Sequence, residues 1–87
     1  MYSQQILNLG AKFEGRLDAV FLEGALDYIR YNEEKLALEI LCDYICEYDV
    51  TLSVNEVREI HFLASTMGFD VESAPFKYLQ ALAKPEA

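Results

Sequence analysis

Eighty-seven residues make one domain, residues 1–87, with no room for a second core. The composition, 53% hydrophobic and 13% aromatic, supplies a real core and excludes a disordered acidic segment, while four Gly and two Pro argue against a turn-rich β-sandwich. Fifteen acidic residues against seven Lys and Arg leave −8 at neutral pH, which excludes nucleic acid and anionic membrane surfaces as natural partners and favours a basic one.

Caps and periodicity predict five helical segments. The first runs from about Ser3 to Lys12, with Ile6, Leu7 and Leu9 at the spacing of one helical face. The second follows Asp18, a natural N-cap, and continues to about Tyr31. Its residues Leu22, Ala25, Leu26 and Ile29 form an i, i+3, i+4, i+7 stripe. Asn32 stops that helix and is placed to cap the next. The third, Glu33 to about Tyr48, is rich in good helix formers and reads as the central helix, with Ala37, Ile40, Leu41, Tyr44, Ile45 and Tyr48 along its inner side.

A short extended connector, Asp49 to Leu52, leads to Ser53-Val54-Asn55-Glu56. This is a capping-box sequence, in which a Ser and a Glu three residues on each satisfy a free backbone N–H. The fourth helix turns Val57, Ile60, Ala64 and Met67 inward. Gly68 suits a left-handed closing position, with Phe69 folding back on the last turn. A final short helix spans about Pro75 to Ala83, and Lys84 to Ala87 are expected to fray. Short connections between these segments predict an all-α fold, a compact antiparallel helical bundle of four to five helices.

Little here suggests chemistry. Cys42 and Cys46 are four apart on a helix, about 5–6 Å between Cβ atoms, too far for a disulfide. They read as reduced, partly buried small hydrophobes, because His61 is the sole histidine and a metal would need two more ligands. Phosphate-loop, Cys-x2-Cys and His-Glu-x2-His patterns are missing, so no catalytic residue, metal or cofactor is expected. The chain opens Met1-Tyr2-Ser3 without a signal-peptide pattern and contains no apolar run of membrane length, so the expected location is the cytoplasm.

The charge is clustered. Between Asn32 and Asp49 lie six acids and one base, Lys35, leaving −5 of the −8. Glu39, Asp43 and Glu47 are spaced i, i+4, i+8 and form one stripe, although each like-charge neighbour pair costs about 0.2–0.5 kcal/mol. Four of the six tyrosines, Tyr28, Tyr31, Tyr44 and Tyr48, accompany them. Rings flanked by carboxylates suit an interface with a basic protein, so the candidate partner-binding residues are Glu33, Glu34, Glu39, Asp43, Glu47, Asp49, Tyr31 and Tyr48. Charge carried for solubility is the plain alternative.

The block Leu36-Ala37-Leu38-Glu39-Ile40-Leu41-Cys42-Asp43-Tyr44-Ile45-Cys46-Glu47-Tyr48-Asp49-Val50, then Thr51-Leu52-Ser53, resembles the MafI family of immunity proteins. So do Phe13-Glu14-Gly15-Arg16-Leu17 and Met67-Gly68-Phe69-Asp70, and the resemblance runs over roughly residues 5 to 79. It implies an immunity protein that binds and neutralises the C-terminal domain of a cognate polymorphic or contact-dependent toxin. Such toxin domains are often nucleases, EndoU-type ribonucleases among them, and a basic nuclease cleft would suit the acidic stripe. The alternative is an acidic helical adaptor, alone or as a homodimer. An acyl carrier protein is disfavoured, because Ser53 is preceded by Leu52 and followed by Val54 and the Asp-Ser-Leu attachment motif is missing.

Overall fold

The computed structural model describes residues 1–84. Helices α1 (Ser3–Ala11), α2 (Ala19–Asp27), α3 (Glu34–Glu47) and α4 (Val54–Thr66) are joined by short turns. A 3-10 segment, Tyr28–Tyr31, prolongs α2, and a second, Phe76–Leu82, stands where the last helix was expected. The chain is thus mainly helical, as its composition predicts. It also holds a two-residue parallel pair that periodicity does not reveal: β1 (Leu52–Ser53) lies beside β2 (Ala83–Lys84), with Leu52 opposite Ala83 and Ser53 opposite Lys84. Lys84, expected to fray, is therefore paired, and the rest of that expectation falls on residues 85–87, outside those described.

The caps explain the boundaries. Asp18 accepts the Val20 N–H at 2.8 Å and starts α2. The predicted capping box starts α4: the Ser53 hydroxyl accepts the Glu56 N–H at 3.0 Å, and the Glu56 carboxylate accepts the Ser53 N–H at 2.9 Å. At the other end of α4, Gly68 takes φ +95°, where a side chain would be strained. Its N–H bonds the Ser65 carbonyl and that of Phe69 the Ala64 carbonyl, the paired bonds of a Schellman ending.

Two further endings of this type use residues other than glycine. Asn32, at φ 60°, closes the 3-10 extension of α2, where Glu33 N–H reaches the Tyr28 carbonyl at 3.0 Å. It does not cap α3, whose N-cap is Glu33 without a side-chain bond. Asp49, at φ 50°, closes α3, with Val50 N–H on the Ile45 carbonyl at 3.0 Å. The expected extended connector therefore begins after a left-handed residue. Replacing Asp49 by Gly should raise stability by about 0.5 kcal/mol, whereas Val there should cost roughly 1–2 kcal/mol. Urea denaturation of the two variants checks both signs.

α3 packs against α1, α2 and the second 3-10 segment, and is the central helix. Its buried residues are Ala37, Leu38, Leu41, Cys42 and Ile45, not the predicted stripe: Ile40 and Tyr44 are half-buried and Tyr48 is exposed. The inner face is rotated because Leu38 and Cys42, close to Ala37, Leu41 and Ile45 on the helical wheel, bury more completely than tyrosines whose hydroxyls keep water. Leu7, also expected inside, is 41% exposed, while Ile6 and Leu9 are buried. α4 buries Val57, Ile60, Ala64 and Met67 as predicted, together with Leu63. Among the described residues no polar or charged side chain is buried, so every titratable group except the Cys42 thiol is open to some water.

Candidate protein-interaction surface

Helical spacing puts Glu39, Asp43 and Glu47 one above another on the side of α3 away from its buried residues; Glu39 is half-buried, and Asp43 and Glu47 are exposed. Tyr44 and Tyr48, each one position further on, turn towards α2. There Phe21 stacks on both, its ring centroid 4.9 Å from Tyr44 at 29° and 5.0 Å from Tyr48 at 15°. Tyr48 remains 49% exposed. The result is an aromatic stack edged along one helix by three carboxylates.

The stripe has no counter-charge of its own. The ion pairs among the described residues join the N-terminal ammonium to Glu34, Lys12 to Glu59, Arg16 to Glu56 and Arg30 to Asp27. Lys35, the one base in the segment, points away: its Nζ lies over the Phe69 ring at 5.5 Å, beside the end of α4. Partial burial pushes the Asp43 carboxyl above its ordinary range, and the neighbouring Glu39 and Glu47 charges push it further. Because the folded state holds that proton more tightly, stability falls as pH rises through the Asp43 pKa. Asp43→Asn should therefore stabilise the free protein at neutral pH by about 0.4–1 kcal/mol, two like-charge neighbours being relieved, with the gain vanishing in acid. Thermal melts at two pH values test this, and an unchanged or lower melting temperature at neutral pH would contradict it.

The other candidates separate into distinct settings. Glu34 is already engaged, accepting the Tyr2 N–H at 2.8 Å, the N-terminal ammonium at 3.1 Å and the Ser3 hydroxyl. These bonds, the Ser3 hydroxyl foremost, hold its carboxyl below the usual range and take the place of the side-chain cap that α1 lacks. Glu33 is exposed at the start of α3. Asp49 and Glu47 rim a hollow of about 400 Å³ with Cys46, Tyr78, Ala81 and Leu82. Tyr31, 66% exposed, is outside the aromatic stack and lines a shallow hollow with Gly24, Asp27 and Tyr28. Sequence reasoning missed Phe21, which sits at the edge of the α2 stripe, one residue before Leu22, where periodicity does not say which way a ring turns.

The remaining reactive groups are quiet. Burial pushes the Cys42 thiol well up, and partial burial followed by the Asp43 and Asp49 charges raises that of Cys46, so neither favours the thiolate. His61 is half-buried, and its Nε2 lies 2.8 Å from the Phe76 carbonyl, an arrangement that requires the proton on that nitrogen and ties α4 to the second 3-10 segment. Among the described residues no three His, Cys, Asp or Glu side chains gather as metal ligands, and no helix is long and apolar enough to cross a membrane.

No family model, curated protein or solved structure matches this chain. What its geometry offers is an acidic and aromatic face on α3, suited to a partner that brings Lys or Arg to the carboxylates and an apolar or aromatic group to the Phe21–Tyr44–Tyr48 stack.

Proposed function

We propose that this chain is a protein-binding inhibitor without catalytic activity of its own: an immunity protein that docks the α3 face onto a basic toxin domain, a nuclease by preference, in the cytoplasm. The observation that carries this reading is the row Glu39, Asp43 and Glu47, which repel one another without a compensating base while flanking a partly exposed aromatic stack. Solubility would be served as well by scattered charge, whereas a row that raises the free energy of the free protein is relieved when a partner supplies cations. The resemblance of the Leu36–Val50 block to MafI immunity proteins supports the same role. Inhibition is stoichiometric: the docked face occludes the toxin's active site or the path of its substrate.

The test is co-expression with the open reading frame immediately upstream, scoring growth and co-purification. Toxicity of that frame alone, relieved by this chain in a stable complex, is the expected result. A harmless neighbour that forms no complex would remove the immunity role and leave an acidic helical adaptor, whose partner a pull-down would identify.

A further inference from the structure

A second surface lies between α1 and α4 and shares no residue with the α3 stripe. The two helices are tied at both ends of a shallow groove. Lys12 Nζ meets the Glu59 carboxylate at 2.7 Å at one end, and the Tyr2 hydroxyl donates to the Thr66 carbonyl at 3.4 Å at the other. Between the ties is a cavity of about 260 Å³, floored by the buried Leu9 and Leu63. Phe62 stands on its edge, 75% exposed. A phenylalanine left in water at the lip of an apolar hollow is a knob beside a hole, and an interface built on a two-fold axis needs both on one surface.

Charge selects the occupant. The chain carries −8, yet the two charged residues lining this groove, Lys12 and Glu59, are paired with each other and sum to zero. A basic partner is steered to the α3 carboxylates and gains nothing here. A second copy of this acidic chain meets no net charge at this groove, and the groove includes no residue of the α3 stripe. We propose that two copies of this chain pair across the α1–α4 face, each inserting Phe62 into the hollow of the other. The pairing is independent of the toxin-binding role and can be right or wrong without it.

Sedimentation equilibrium of the full chain over a wide concentration range tests the pairing. Wild type should show a concentration-dependent dimer. Phe62→Glu, which removes the knob and adds like charge, should raise the dimer dissociation constant at least about tenfold while leaving the helical circular dichroism unchanged. Asn8→Arg, which leaves Phe62 in place and crowds the hollow, should weaken the dimer as well. If Phe62→Glu fails to fold, Asn8→Arg decides. A wild type that is monomeric at every concentration, or a dimer insensitive to the folded variants, would overturn the proposal.

Discussion

Replacing Asp43 and Glu47 together by lysine should weaken binding of the co-purified partner by roughly 10²-fold, mostly by turning attraction at two sites into repulsion. The loss should include a slower association, and the wild-type on-rate should itself fall as salt rises, since exposed charges are screened beyond a Debye length of about 8 Å at physiological ionic strength. Unfolding does not account for such a loss. Glu39 followed by Lys at 43 is a favourable i, i+4 pair, and Lys at 47 sits at the negative end of α3, so the variant helix should be at least as stable as the wild type.

Net charge is controlled by a second double variant, Glu14→Lys with Glu72→Lys. It makes the same change of +4 at two exposed positions outside α3. Binding kinetics of both variants separate the possibilities. Strong loss confined to the α3 variant places the interface on the stripe. Equal losses would mean that only bulk charge matters, and no loss in either would move the interface elsewhere.

What the sequence made legible follows from what is local. The caps Asp18 and Ser53 and the glycine ending at Gly68 are fixed by residues within five positions of one another, and all three hold in the structure. The acidic row was equally readable, because charges at i, i+4 and i+8 must share a face. Orientation around α3 was not. Apolar or aromatic residues occupy most of that helical wheel, so periodicity alone does not choose between a face centred on Tyr44 and one centred on Leu41. Packing decides, and Phe21 on α2 takes Tyr44 and Tyr48 as its partners at the edge of the core.

Non-local ties were beyond reach for the same reason. Glu34 looks like one more surface acid until its carboxylate is seen to hold Tyr2 and Ser3, more than thirty residues earlier in the chain. The β1–β2 pair joins residues on either side of α4 through strands too short to leave a period of two. Asn32 stops the second helical segment as expected but does not cap α3, and Asp49 is not extended, because both stand at left-handed endings, where a short polar side chain substitutes for glycine without announcing it.

Glu56 should be the most costly polar residue to remove. Its carboxylate serves two structures at once. One is the capping box of α4. The other is a forked bond to Arg16, at 2.7 and 2.9 Å, while the same guanidinium also donates to the Thr51 carbonyl at 2.7 Å and lies 4.7 Å from the Phe13 ring centroid. The pair therefore locks the turn after α1 to the connector and to the first turn of α4. Its Arg16 side is 35% exposed and its Glu56 side 14%, so water screens the pair only in part.

Glu56→Ala should cost about 3 kcal/mol, roughly 1 from the bond its carboxylate gives the Ser53 N–H, the Ser53 hydroxyl keeping its own bond to the backbone N–H at 56, and the rest from a guanidinium left without its carboxylate. For a domain of this size that corresponds to a fall in Tm of about 12–24 °C. Glu56→Gln, which keeps an acceptor for the Ser53 N–H but not the charge, should cost less. Arg16, the largest cause, holds the Glu56 carboxyl down at about 2 against an ordinary 4.5. A depressed folded-state pKa contributes stability that is complete above 4.5 and drains away as pH falls from there towards 2. The gap between wild type and Glu56→Ala, followed by urea denaturation at successive pH values, should thus narrow across that window. The remaining carboxylates titrate in both proteins and cancel from the difference. A gap that stays constant with pH would show that Glu56 acts through packing and backbone capping alone, with the Arg16 pair adding nothing to the fold.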